Sequence, residues 1–494
     1  MGTEAKVSSF ASEHNEDPKV LPEAETLPAN AAAKSENRFV RKLDMILLPL
    51  LALAYLLAYM DRNNVGYARL MGLQEDLDLS SGEFYNVVMM FYAGYLVTIF
   101  PANLLVRTIG PRIQLSFAVL AFGVFVCCMC SARGYGDILG LRFGVGAAEA
   151  LLQATPLYLV LWYGRNELGK RIALFYSATV IAGVFAGLIA YAVQKDLEGA
   201  AKRPSWQWLF IIEGSIAIGI GLLMAVCLPG FPDRIKKSWM FNNEEIELSI
   251  SRGEGLNAKG AGFQPKQVRN SLLDPKTWYL AVLSGVNSTL LASTGAFLPT
   301  IIKEFGYSSV QAQLFTVIPY ACAFVSMVTI GYLSDHFRNK SSFILGCLSL
   351  CATGLIILMA TTGKQVGVFA ACLLVMGAYP SAVLQMAWIQ INFCGNTKRA
   401  MSWAVAMIFG QGLSMVGAQI YTTPPRFFKG HGILLAFVVI AMCSTVAARL
   451  TMARANKRRD EELREYEQRG EAHPDQEKSY EETCDYHVAF KYTI

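Results

Sequence analysis

The sequence predicts an all-α integral membrane protein with twelve transmembrane helices in two six-helix, pseudo-symmetric halves. Three observations predict it. Of the 494 residues, 53% are apolar and only 16% charged, against about 25% charged in an ordinary soluble chain. Mean hydropathy is +0.36. Twelve apolar runs stand between charged or Gly/Pro punctuation, each close to the roughly 20 residues that cross a bilayer. A soluble fold cannot hide that much apolar surface. The net charge of +5 comes without a basic block long enough to follow a phosphate backbone, which argues against a nucleic-acid partner.

The predicted spans are 46–66, 84–106, 113–132, 137–162, 170–193 and 206–228, then 277–302, 312–334, 341–361, 366–390, 400–421 and 432–453. They divide the chain into a tail (1–42), a six-helix half (43–228), a polar linker (229–276), a second half (277–453) and a second tail (454–494). An even number of spans puts both tails on one side, and most Lys and Arg fall on that side. The positive-inside rule places it in the cytoplasm, and the plasma membrane is the expected location. The first tail is polar without an apolar core, so it is neither a signal nor a transit peptide.

Few charges fall inside spans, where each costs about 2.5–3.5 kcal/mol even on the lenient insertion scale. The first span carries Asp61-Arg62-Asn63-Asn64, with Tyr55, Tyr59 and Arg62 on one helical face. A guanidinium flanked by phenols suits a carboxylate, because it offers a planar fork of donors. Interfacial anchoring by Tyr and Arg is the competing reading. On the second span Tyr92 and Tyr95 lie three apart. The third holds Cys127 and Cys130, a CxxC spacing with no second pair and no nearby His, read as packing residues rather than a metal site.

The fourth span places Arg142, Gly146, Glu149 and Gln153 at spacings of four, three and four, one helical face. Glu149 would lie near the midplane, where a carboxylate tends to stay protonated until water or a cation reaches it, as a proton carrier requires. A buried Arg142–Glu149 tie that only joins helices is the alternative. The fifth span is almost wholly apolar. In the sixth, Glu213 sits early, near the outer surface, and reads as structural.

In the second half Asn287 shares a face of the seventh span with Ser284 and Thr294. Ser381, Gln385, Trp388 and Asn392 share a face of the tenth, and Gln411 and Ser414 one of the eleventh. Each stripe alone fits helix packing; together they point to a wet central site that Asn287, Gln385, Trp388, Asn392 and Gln411 would line. The turn after the eighth span, Gly331-Tyr-Leu-Ser-Asp335-His336-Phe-Arg338, has a counterpart after the second, Arg107-Thr-Ile-Gly110-Pro111-Arg112. That correspondence is an internal repeat of the kind found in transporters. The last segment mixes charges and reads as a solvated helix or disordered tail.

These residues resemble a known family. Tyr59-Met60-Asp61-Arg62-Asn63-Asn64-Val65-Gly66, Arg142 with Glu149 and then Leu161-Trp162-Tyr163, Phe297-Leu298-Pro299-Thr300, Gln313 to Tyr320, Gly395-Asn396-Thr397-Lys398-Arg399 and the closing Phe490-Lys491-Tyr492 are together similar to the major facilitator superfamily. Within it, residues 43–453 look like the anion:cation symporter branch, especially the fungal allantoate-permease-like transporters. The resemblance implies uptake of a small organic anion with protons, by alternating access and without a cofactor or metal. It implies Asp61 and Glu149 as proton-coupling acids, Arg62 and Arg142 as their charge partners, Tyr59 and Tyr95 on the substrate side, and Gly331, Asp335 and Arg338 in a gating loop. A monomer is expected. The chain departs from the family at Gly410-Gln411-Gly412, where a Gly-Asn pair is usual, and in its apolar fifth span. An exporter of an acidic metabolite and a nutrient receptor of the same fold stay open as alternatives. An enzyme is not supported: no HExxH, no His within a span and no Walker loop is present.

Overall fold

The computed structural model describes residues 29–163, 165–231, 240–256, 264–422, 426–469, 473–475 and 483–494. The first half holds α1 (Ala29–Leu70), the short α2 (Leu73–Asp76), α3 (Ser81–Ile109), α4 (Pro111–Met129), α5 (Tyr135–Ala150), α6 (Thr155–Trp162), α7 (Arg165–Asp196) and α8 (Ser205–Cys227). The linker forms α9 (Asn243–Leu256) and α10 (Pro265–Leu273). The second half holds α11 (Pro275–Glu304), the short α12 (Ser309–Phe315), α13 (Val317–His336), α14 (Lys340–Ala360), α15 (Lys364–Asn392), α16 (Asn396–Gln419) and α17 (Phe428–Arg469). Each predicted span falls on a helical segment, and ten helices among the described residues are long and apolar enough to cross a membrane.

Helix starts follow local chemistry. Ser80 and Glu83 form a capping box that opens α3, and Ser308 with Gln311 does the same for α12, satisfying donors that a helix start leaves free. Asp274 caps α11, with Pro275 in the first turn. The fourth predicted span is not one α-helix: α5 passes through a 3-10 turn, Leu151–Ala154, into α6. Pro156 is the cause, since it lacks the N–H that would bond the carbonyl of Leu152. The Thr155 hydroxyl donates to that carbonyl instead, at 2.6 Å.

The two halves repeat one packing scheme. In the first, α1 packs on α7, α3 on α5, α4 on α8 and α4 on α5; in the second, α11 packs on α16, α13 on α15, α14 on α17 and α14 on α15. Substituting α11, α13, α14, α15, α16 and α17 for α1, α3, α4, α5, α7 and α8 turns the first set into the second. The halves meet through α1 with α11, α3 with α16 and α7 with α13.

Call the membrane face that carries the termini the terminal face and the opposite one the distal face. The side chains that bridge the halves do so toward the distal face. Tyr67 and Thr316 share a hydrogen bond of 2.8 Å, Gln419 donates to Asn86 at 2.9 Å, and the rings of Tyr85 and Phe297 lie 5.8 Å apart. At Gly66 a Cβ would sit 2.3 Å from the carbonyl oxygen of Ala296, so only glycine lets α1 and α11 approach this closely. On the terminal face α9 is held against the first half, with Lys42 on Glu245 at 2.8 Å and the Phe241 ring stacked on Trp162.

Candidate functional site

The buried charges of α1 and α5 gather into one cluster. Asp61 and Arg62 are consecutive on α1, so their side chains leave the helix about 100° apart and meet α5 at different levels. Arg142 Nη1 donates to Asp61 Oδ2 at 2.9 Å, and Arg62 reaches Glu149 Oε2 through Nε at 2.9 Å and Nη2 at 2.8 Å. The pairing is therefore crossed between helices, and Arg142 does not tie to Glu149 on its own helix. Asp61, Arg142 and Glu149 are essentially inaccessible, whereas the Arg62 side chain keeps 13% of its surface open.

Neither pair is saturated. Asp61 Oδ1, Glu149 Oε1 and Arg142 Nε have no hydrogen-bond partner, so each side of the cluster retains bonding capacity that another charged group would use. Aromatic rings surround the guanidinium of Arg62: Tyr59 at 4.5 Å, Phe91 at 5.0 Å and Tyr95 at 5.2 Å, with Arg142 5.3 Å from Phe91. Ring faces attract cations in such dry surroundings. Two glycines bring α3 this near: a Cβ on Gly146 would lie 1.9 Å from the Phe91 carbonyl oxygen, and one on Gly94 2.2 Å from that of Phe143.

In the second half Asn287 donates to Gln385 at 3.3 Å and accepts from Ser381 at 2.9 Å, all three buried. Gln385 Nε2 is left unpartnered. Gln411 is half-buried on α16. Ser414 and Thr294 instead spend their hydroxyls on carbonyls of their own helices.

Trp388 and Asn392 are placed elsewhere than in a central site. Both donate to the backbone carbonyl of Thr493, at 2.8 and 3.0 Å, and Thr493 N returns a bond of 2.7 Å to Asn392 Oδ1. They hold the returning end of the chain at the terminal face. The last segment, expected as a solvated helix or a disordered tail, stays helical to Arg469, and the departure is that residues 483–494 fold back beneath the second half. Asp485 is fully buried there between Lys276 at 2.9 Å and Lys398 at 2.5 Å. Burial pushes its carboxyl up, but the two ammonium groups outweigh burial and hold it below the usual carboxylate range. Tyr492 bonds Asp485 at 2.7 Å and Lys276, while Arg459 reaches the carbonyls of Asp485 and Phe490 at 2.5 Å each.

The expected gating loop joins the same assembly. Asp335 pairs with Lys340, whose backbone N donates to the Ile494 carbonyl at 2.8 Å. Arg338 is exposed at the turn with φ +51°, and a Cβ on Gly331 would meet nothing within 4 Å. Close packing is therefore not what places glycine at 331. Glu213, expected early in the sixth span in a structural role, is 4% exposed on α8, and neither carboxylate oxygen has a hydrogen-bond partner. Among the described residues no group of three or more His, Cys, Asp and Glu is disposed to hold a metal.

Two pseudo-symmetric helical halves, the first holding buried, cross-paired charges, are the architecture of a membrane transporter. Residues 51–418 match the family model of the Major Facilitator Superfamily, and the chain belongs to that family. An uncharacterized transporter of Schizosaccharomyces pombe is 33% identical, over 87% of this chain and 89% of its own length. A high-affinity nicotinic acid transporter of Saccharomyces cerevisiae is 31% identical, over 86% of this chain and 79% of its own. Among solved structures, a D-xylose-proton symporter matches with a TM-score of 0.63 at 15% identity, covering 81% of this chain and 96% of the other. An inward-facing bacterial homolog of the human lysosomal transporter Spinster gives 0.62 at 14%, covering 82% and 96%. Both likenesses concern the fold.

Proposed function

We propose that the protein is a proton-coupled symporter of a small organic anion, working by alternating access, with its termini in the cytoplasm and the plasma membrane as its site. The observation that carries this reading is the crossed pair of buried ion pairs, Arg142–Asp61 and Arg62–Glu149, each with one unused carboxylate oxygen. Breaking a buried pair by removing one charge costs about 3–5 kcal/mol, so an arginine leaves its carboxylate only when both are compensated. A proton on the carboxylate and an anionic substrate on the arginine supply that compensation together.

In the distal-open state Glu149 and Asp61 take protons, and Arg62 and Arg142 turn to the substrate carboxylate. The Tyr59, Phe91 and Tyr95 rings flank it, and Asn287 and Gln385 face it from the second half. In the terminal-open state the acids release their protons, pair again with the arginines and displace the anion. The arrangement described above, bridged toward the distal face and with both pairs formed, fits that second state after release. The nicotinic acid transporter among the relatives supports a carboxylate as the cargo, and the motifs around Asp61 and Arg142 support the allantoate-permease-like branch.

Glu149→Gln tests the reading in proteoliposomes, with nicotinic acid and a panel of small carboxylates as probes. A transported probe should lose accumulation driven by a pH gradient while keeping exchange counterflow. Undiminished accumulation by this variant refutes proton coupling through Glu149.

A further inference from the structure

Glu213 is a buried carboxylate that the crossed pairs leave unused. It is 4% exposed, and both Oε1 and Oε2 are without a hydrogen-bond partner, so it does not tie helices together as a structural acid would. Along α8 it lies eight residues from Ser205, about 12 Å from the distal end of the helix, and Asp61 lies nine residues from the distal end of α1, about 13 Å. Each carboxyl group thus lies a similar length of helix in from its own distal end, and α1 packs on α8.

The groups that face Glu213 are few. From α1, Asp61 and Tyr67 are within electrostatic reach. From α4, Cys127 meets the Ile211 carbonyl at 3.7 Å and Ser215 Oγ at 3.8 Å, positions two residues to either side of Glu213 and so on another face of α8. On α7, Tyr176 packs against Tyr55 instead. Asn64, three residues beyond Asp61 on α1, is fully buried with both amide atoms unpartnered. On the packed pair α1 and α8, Asp61 Oδ1, both amide atoms of Asn64 and both oxygens of Glu213 thus stay unsatisfied, where buried polar groups are nearly always paired. Unused donors and acceptors of this kind are what a mobile proton and a water would occupy.

We propose that Glu213 is a second proton-carrying site, coupled to Asp61. It holds its proton while Asp61 is paired with Arg142. When Arg142 turns to the substrate, the O–H bond at Glu213 breaks and one forms at Asp61 Oδ1, and water entering from the distal side returns a proton to Glu213. This rests on Asp61 being a coupling acid, as proposed above.

The test reads the proton itself and needs no transported substrate: infrared difference titration of the purified full-length protein in lipid, with deuteron exchange to mark carboxyl bands. The wild type should show a protonated carboxyl band at neutral pH that Glu213→Gln abolishes and Glu213→Asp, which keeps a carboxyl, restores at a shifted frequency. In Asp61→Asn the pH at which the band disappears should move. A neutral-pH spectrum identical in wild type and Glu213→Gln overturns the site, and a titration unmoved by Asp61→Asn overturns the coupling. Failure of the Glu149→Gln transport test would leave this band intact, so the two readings fail separately.

Discussion

Replacing Gly146 with Ala isolates what holds the charge cluster together. The added Cβ would lie 1.9 Å from the Phe91 carbonyl oxygen, where ordinary contact begins near 3.4 Å, so α3 and α5 must separate by about 1.5 Å locally. The obstacle is backbone, and no side-chain rotation relieves it. Overpacking of this kind costs about 1–3 kcal/mol, which at about 2–4 °C per kcal/mol for a unit the size of one half predicts a fall of roughly 2–12 °C in melting temperature. Arg142 and Glu149 lie four residues before and three after Gly146 on the same face. The shift therefore also pulls them from Asp61 and Arg62, and transport should fall by on the order of 100-fold, the penalty for misplacement near 1 Å. Gly140 is the control on the same helix: a Cβ there meets nothing within 4 Å, and Ala is the better helix former by about 1 kcal/mol. Thermal denaturation of the purified variants decides it. Equal melting temperatures for Gly146→Ala and Gly140→Ala would refute the claim that a glycine contact sets the cluster.

Other outcomes follow from the same geometry. Asp61→Asn and Arg142→Gln should each destabilise by about 3–5 kcal/mol, and the double variant by clearly less than the sum; strictly additive losses in thermal denaturation would exclude the pair. Tyr67→Phe removes one bond between the halves, worth about 0.5–1.5 kcal/mol. It should shift the population about 2–12-fold toward the distal-open state, read as lengthened distances between spin labels at the distal ends of α3 and α16. Asp485 has a lowered folded value, so its contribution is present above the unfolded carboxyl value of about 3.9 and is lost as pH falls through the lower folded one. Acid-induced release of residues 483–494, followed by protease cleavage, should then begin below about pH 4 in wild type. In Asp485→Asn the segment should already be cleavable at pH 7.

The spans were legible because membrane helices advertise themselves by length and hydropathy, and the four charges because the bilayer makes them conspicuous. Their partners were not. Arg142 and Glu149 share one face of a helix, which invites pairing them, yet seven residues of rise put their Cα atoms about 10.5 Å apart. That separation matches two targets on a neighbouring helix better than a bond between the two. Trp388 and Asn392 looked like cavity residues for a related reason. A polar stripe on an apolar helix records that something polar faces it, and a returning backbone answers that need as well as a ligand does. The tail's mixed charges read as solvated because the basic and acidic residues that bury Asp485, namely Lys276, Lys398 and Asp274, lie far away in sequence. Pro156 was the local signal for the break in the fourth span, hidden inside a continuous apolar run.

The folded-back tail also sets a schedule. Lys276 meets Asp485 across 209 positions of chain, and at about 5–20 residues per second the ribosome needs roughly 10–40 s to make the second after the first. Through that interval Lys276, and from their own synthesis onward Lys398, Trp388 and Asn392, lack the partners that residues 485–493 bring, with Asp274 alone facing the two lysines. The second half of the protein is thus chemically unfinished while its helices are already being inserted. A chain cut short near its end would leave two ammonium groups to share Asp274 alone on an otherwise completed bundle.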